Sequence, residues 1–127
     1  MKEFLKKGNI IAVVGASRNP EKWGYKIFKK LKGFYKTYPV NPKYKEIDGT
    51  KCYPDLKSLP EKPDVVITVV PPEVTESVVK VCKDLGISMV WMQPGSESQK
   101  AIEFCKKNGI KVVYNVCFVV NGLKEEF

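Results

Sequence analysis

The 127-residue chain contains no histidine. That removes the commonest general base at neutral pH, so any acid–base chemistry would fall to a carboxylate, lysine, tyrosine or cysteine tuned by its surroundings. Arginine is nearly absent as well: Arg18 stands alone among 22 basic residues. Long apolar runs are missing. The longest, Val65 to Pro72, is broken by Thr68 and falls far short of the roughly 20 residues that a bilayer span needs. The start, Met1-Lys2-Glu3-Phe4-Leu5-Lys6-Lys7, has basic residues with no apolar stretch behind them, which excludes a secretory signal. The expectation is a soluble cytoplasmic protein. The four cysteines, Cys52, Cys82, Cys105 and Cys117, show no metal-ligand spacing and have no histidine to complete a site. No metal is expected, and in a reducing cytosol the thiols are free and mostly small core residues.

What is present fits one globular domain covering residues 1–127. Abundant lysine with only two glutamines leans toward a thermophilic source. The charge is unevenly spread. Residues 1–46 carry a net +9 and the remainder a net −1, which is either a solvated lysine coat or a surface that meets a polyanion.

Asn9 to Gly15 is a continuous apolar run ending in glycine, as suits a strand buried on both faces. Asn19 as N-cap and Pro20 as first residue would open a helix whose inner stripe is Trp23, Ile27 and Leu31, closed by Gly33. Phe34 to Val40 reads as a second strand, stopped by Asn41-Pro42. Residues 43–63 are irregular and polar, with a turn at Asp48-Gly49. Asp64 to Val70 is the strongest strand. A helix from about Pro72 to Leu85 follows, with Val74, Val78, Val81 and Leu85 on one face. Ile87 to Met92 is a strand, Ser96 to Gln99 resembles a capping box opening a helix to Asn108-Gly109, and Ile110 to Tyr114 is the fifth strand. Residues 115–127 stay ambiguous. Strands alternating with helices predict an α/β protein: a Rossmann-like, three-layer fold with a five-stranded parallel sheet, order 3-2-1-4-5, and helices on both faces.

Ligands of such sheets bind beyond the carboxyl ends of the strands, near the switch in strand order. That selects Gly15–Gly24, Val40–Lys43, Val70–Pro72 and Gln93–Gly95. Gly15 would let a ligand approach the backbone, and the following helix N-terminus would attract a phosphate. Ser17 could add a hydroxyl donor, and Arg18 and Lys22 could add charge. Glycines 15 and 24 are present without the compact G-x-G-x-x-G spacing. After the second strand the chain reads Val40-Asn41-Pro42-Lys43, with no acid for a ribose diol and a lysine that would welcome a ribose phosphate. The pattern disfavours NAD and favours NADP or coenzyme A.

Gly15-Ala16-Ser17 with Pro20, Lys22 and Gly24, then Val40-Asn41-Pro42-Lys43, Val70-Pro71-Pro72 and Trp91-Met92-Gln93-Pro94-Gly95, resembles the small stand-alone CoA-binding proteins. These are similar to the CoA-binding domain of the succinyl-CoA synthetase alpha subunit. The resemblance implies coenzyme A held by its adenosine-diphosphate end. Gly15, Ala16, Ser17 and Lys22 would surround the diphosphate. Asn41, Pro42 and Lys43 would flank the ribose and its phosphate, and Val70, Pro71 and Pro72 would border the nucleotide. Gln93 and Gly95 would lie nearer the pantetheine exit. Where the family often has Asp-Arg-Cys, this chain has Asn115-Val116-Cys117. Cys117 is either a buried small residue or a thiol able to form a mixed disulfide with coenzyme A. Succinyl-CoA synthetase needs a phosphorylated histidine, which is lacking here, so the resemblance implies a binding or regulatory module without catalysis. The alternatives are an NADP-dependent oxidoreductase and a nucleic-acid binder. The second rests on the N-terminal charge together with Phe34, Tyr35, Tyr38 and Tyr44, but core packing accounts for most of these rings, so no nucleic-acid partner is expected.

Overall fold

The computed structural model describes residues 1–127. The first apolar run forms strand β1 (Ile10–Val14), and its side chains alternate between two cores. Ile11 and Val13 face one core, Ala12 and Val14 the other, because successive strand side chains point to opposite sides. The same split recurs in β5 (Val65–Thr68), where Val65 and Ile67 oppose Val66, and in β6 (Met89–Met92), where Trp91 opposes Val90 and Met92. With β2 (Lys36–Val40) and β7 (Lys111–Val113), these strands form one parallel sheet in the order β2-β1-β5-β6-β7.

This is the expected Rossmann-like α/β arrangement of five parallel strands between helices; its order reverses at β1, and the third of the expected strands, β5, pairs with β1 on the side away from β2. The outermost place beyond β2 is held by a single parallel bridge from Val40 to Tyr53, not by a full strand. Tyr53 follows a short antiparallel hairpin, β3 (Glu46–Ile47) and β4 (Thr50–Lys51). Asp48 and Gly49, both at positive φ, make its two-residue turn. The stretch expected to be irregular therefore contains a hairpin.

One face of the sheet is covered by α1 (Lys2–Leu5), α2 (Trp23–Leu31) and a π-helical turn at Phe118–Leu123. The other is covered by α3 (Pro72–Leu85) and α4 (Gln99–Lys107). Trp91 is the largest fully buried side chain. It packs edge-on against Phe4 and Phe118 and donates its indole N–H to the Val116 carbonyl, which fixes the ambiguous C-terminal segment onto the sheet.

Four sequence expectations shift. Helix α2 begins at Trp23 with Lys22 in the N-cap position, because Asn19 spends its side chain on a local turn, accepting from the Glu21 amide. Trp23 consequently stands 55% exposed outside the core stripe, which is Ile27, Phe28 and Leu31. Phe34 belongs to the turn before β2 and is 49% exposed. On α3 the buried residues are Thr75, Val78, Val79 and Cys82, while Val74, Val78 and Val81 border a cleft. The cap of α4 is Ser98, whose side chain accepts from the Ala101 amide. Ser96 instead lies buried against Thr68 and Gln93.

Burial raises the thiols on α3 and α4: Cys82 is pushed up to about 12, with Cys105 adding a smaller contribution, and Cys105 to about 11. Both stay protonated in the fold when the unfolded chain has begun to lose their protons, near the ordinary thiol value of about 8.5. The unfolded state then binds fewer protons, so stability falls as pH rises from about 9 toward 12. Burial of Tyr35 and the Glu61 partnership of Lys36 raise those groups too and act in the same direction. Denaturant unfolding between pH 8 and 11 should show this decline, about 1.4 kcal/mol per pH unit for each thiol in its window, and C82A/C105A should flatten it. A decline of equal steepness in the double variant would assign it to the other groups.

Candidate functional site

The carboxyl end of β1 runs directly into Gly15, which has φ +100° and no room for a side chain. A Cβ there would sit 2.2 Å from the Val69 carbonyl oxygen and 2.7 Å from Val70 Cγ1. Gly24, in the first turn of α2, is held as tightly: its Cβ would lie 2.0 Å from the Gly15 carbonyl oxygen. Two glycines nine residues apart thus let the helix start press on the turn that follows β1. This is the physical content of the Gly15/Gly24 pair.

The loop between them is fastened from β2. Asn41 donates its Nδ2 to the Ala16 carbonyl at 2.8 Å, and its Oδ1 accepts from the Lys43 amide at 2.9 Å. Ser17 is buried, with its hydroxyl oxygen accepting from the Asn19 amide at 3.0 Å. Arg18 and Lys22 are exposed. No side chain caps α2, so its N-terminal turn keeps the partial positive charge that suits an anion.

A cleft of about 620 Å³ opens at this edge, within the size range of small-molecule sites. Val14 and Gly15 form its base, Val40, Asn41, Pro42 and Lys43 one side, Val70 and Pro71 another. Helix α3 supplies Val74, Ser77, Val78 and Val81. The fourth side was not anticipated from the sequence: Pro54, Asp55, Leu56 and Lys57 also line the cleft. They form a single 3-10 turn at Leu56–Ser58 capped by Asp55, whose carboxylate accepts from the Ser58 amide at 2.9 Å. The Asp55-x-x-Ser58 spacing was the available signal. Since Asp55 is the one carboxylate in the lining and is engaged in the cap, Lys43 and Lys57 set the charge of the mouth.

The remaining sequence candidates do not line the cleft, and these include Ser17, Arg18 and Lys22 of the first loop. Ala16 and Gly24 are buried behind the first loop. Pro72 is at the first helical position of α3. Gln93 is buried with its side chain committed: Oε1 accepts from the Phe118 amide at 2.7 Å, and Nε2 donates to Cys117 Sγ at 3.3 Å. Gly95 is exposed at φ +95°, and its amide donates to Glu97. Cys117 is half-buried, and its backbone opens the π-helical turn. Cys52 lies behind Asn41, donating its thiol to the Asn41 carbonyl at 3.5 Å, and burial raises it.

A family model described as a CoA binding domain matches residues 9–122. The chain belongs to this family of CoA-binding domains. Among curated relatives, this CoA-binding domain is 33% identical over 119 residues to the alpha subunit of acetate–CoA ligase [ADP-forming] II of Pyrococcus furiosus, covering 84% of the chain and 26% of that protein. It is 38% identical to acetate–CoA ligase [ADP-forming] I of Archaeoglobus fulgidus, covering 85% of the chain and 17% of that protein. The chain therefore spans about a quarter or less of the ligases it matches. Over nearly full length on both sides it is similar to a conserved hypothetical protein from Pyrococcus furiosus, at 44% identity and TM-score 0.83, covering 88% of this chain and 97% of that one. Several relatives come from thermophilic archaea, in keeping with the lysine-rich composition. No helix is long and apolar enough to cross a membrane.

The glycine geometry makes a direct prediction. Gly15→Ala places a methyl group against the Val69 carbonyl at a positive φ, and should lower the unfolding free energy by about 3 kcal/mol or more, from overpacking added to left-handed strain. Gly95→Ala, with nothing within 4 Å of the added carbon, should cost only the conformational part, about 1–2 kcal/mol. Chemical denaturation of the two variants checks this, and equal losses would remove the special role of the Gly15 contact.

Proposed function

We propose that this chain, acting as one cytoplasmic module, binds coenzyme A by its adenosine-diphosphate end and performs no chemistry on it. The observation that carries the reading is the cleft at the strand-order switch, lined by the Gly15 turn and Lys43, with the uncapped start of α2 pressed against Gly15 through Gly24 just outside it. The residues present fit the group. Gly15 to Ser17 with Arg18 and Lys22 would take the diphosphate, and Gly24 keeps the helix start close to it. Asn41, Pro42 and Lys43 would hold the ribose and its phosphate. Val40, Val70, Pro71 and Val74 offer apolar walls to the base, with Pro72 fixing the start of α3. Gln93 and Gly95 lie toward the pantetheine arm. Coenzyme A, when bound, supplies a thiol that carries acyl groups; the protein positions it.

The reading of no catalysis rests on the residues. There is no histidine. Cys82 and Cys105 are pushed up to about 12 and about 11, whereas a nucleophilic cysteine needs its thiolate. The ligase relatives are several times longer, so their activity does not pass to this stretch by similarity alone. Lys43 and Lys57 would also suit the 2′-phosphate of NADP, which keeps the oxidoreductase reading as the competitor.

Calorimetric titration with coenzyme A, dephospho-CoA, NADP and NAD in one buffer tests the proposal. Coenzyme A should bind best and dephospho-CoA roughly tenfold more weakly, as expected for one charge-assisted phosphate contact of about 1.4 kcal/mol. Lys43→Gln should narrow that difference. Binding of NADP without coenzyme A would transfer the assignment to the oxidoreductase reading, and no binding at all would remove both.

A further inference from the structure

Helix α2 buries Ile27, Phe28 and Leu31 against the sheet and turns its other surface to solvent. That surface carries Lys26, Lys29 and Lys30, with Lys22 just ahead of it. From Lys22 to Lys45 there is no aspartate or glutamate. The ion pairs of the molecule are Lys36 with Glu61 and Lys111 with Glu3, so these four lysines have no carboxylate partner. Three of the exposed large apolar residues gather at the same place: Trp23 at 55%, Phe34 at 49% and Phe127 at 50%. Trp23 and Phe127 meet edge-on with centroids 5.1 Å apart, and Lys26 Nζ stands 5.0 Å from the Trp23 ring. A groove of about 670 Å³ runs between Phe34, Phe127 and the lysines.

Single exposed apolar residues need no explanation, but a cluster of rings does. A second copy of the chain is a poor occupant, since the same lysines would face one another. An acidic protein surface would meet the lysines but offer no flat partner to three rings. A strand of bases offers a π-face to each ring and a phosphate to each cation. We propose that this face binds single-stranded nucleic acid, with Lys22, Lys26, Lys29 and Lys30 taking backbone phosphates and Trp23, Phe34 and Phe127 stacking on bases. The sequence assigns most of Phe34, Tyr35, Tyr38 and Tyr44 to the core. Tyr35 is there, but Phe34 is not, and Trp23 leaves the core stripe. Carboxylates border the patch in the chain at Glu21, Glu125 and Glu126. The patch lies on the opposite side of the sheet from α3, which lines the cofactor cleft; Lys22 alone is shared with the coenzyme A reading, and Lys26, Lys29, Lys30 and the three rings are tested apart from it.

Fluorescein-labelled dT15 and rU15, followed by anisotropy across a salt series, test it with the full chain. The slope of log K against log salt should be about −2 to −3, since single strands give roughly −0.7 per neutralised phosphate and three or four lysines are involved. Protein emission should be quenched on binding, because Trp91 is fully buried and Trp23 is the exposed tryptophan. K26Q/K29Q/K30Q should weaken binding at least tenfold and flatten the slope. Phe34→Ala should weaken it about tenfold with the slope kept, as loss of one stacked base implies. Lys29, Phe34, Lys100, Lys106 and Lys107 are exposed and Lys26 and Lys30 half-buried, and unchanged thermal melting confirms folding. An equal loss in K100Q/K106Q/K107Q, on the opposite face, would overturn the proposal in favour of general charge. Equal binding of poly-L-glutamate, or no salt slope and no quenching, would also overturn it.

Discussion

The contact on which the site depends is backbone against backbone at Gly15. Its Cα face is pressed to the Val69 carbonyl that follows β5, and its own carbonyl is pressed to Gly24 in α2. No residue with a Cβ fits either glycine without something moving, so β1, the exit of β5 and the start of α2 are drawn together through two missing side chains. Close packing of this kind leaves little slack in a protein interior. Asn41 completes the arrangement from β2 by holding the Ala16 carbonyl. The carboxyl edge is therefore rigid where a phosphate would arrive and open where α3 and the 3-10 turn at Leu56–Ser58 stand back to form the cleft.

From that edge outward the two faces of the sheet differ in character. The α3–α4 side is apolar toward the cleft and carries Cys82 and Cys105 as neutral core thiols. The α2 side carries the excess lysine and three exposed rings. Three of the basic residues behind the N-terminal charge excess, Lys26, Lys29 and Lys30, thus stand on a helix that does not line the cleft. The cleft at the strand ends and the broader lysine surface of α2 are separate regions of different shape.

Much of this was legible in the residues. The apolar runs at β1, β5 and β6 are long enough and uniform enough to read as doubly buried strands, and Pro72 with Gly86 bracket α3 at its observed ends. Gly15 and Lys43 stand out because a glycine after a strand and a lysine where an acid is usual have few other uses. What was not legible depended on contacts distant in sequence. Trp23 looks like a core residue by spacing, yet the chain enters α2 too late for its side chain to reach the sheet. Gln93 looks like a loop residue beside a ligand, yet the π-helical turn at Phe118–Leu123 captures its amide from 25 positions away. Lys57 and Leu56 lie in a stretch without periodicity, and they reach the cleft because the β3–β4 hairpin and the Tyr53 bridge fold it back beside β2.

Amide chemical-shift mapping of the labelled protein against coenzyme A tests the central claim most directly, because it reads location and binding together. The account predicts shifts concentrated at Gly15–Gly24, at Val40, Asn41 and Lys43, at Val70, and at Leu56 and Lys57, with the outer face of α2 beyond its first turn unmoved. Shifts centred on Lys29, Lys30 and Phe34, with the Gly15 and Lys43 amides unchanged, would contradict it.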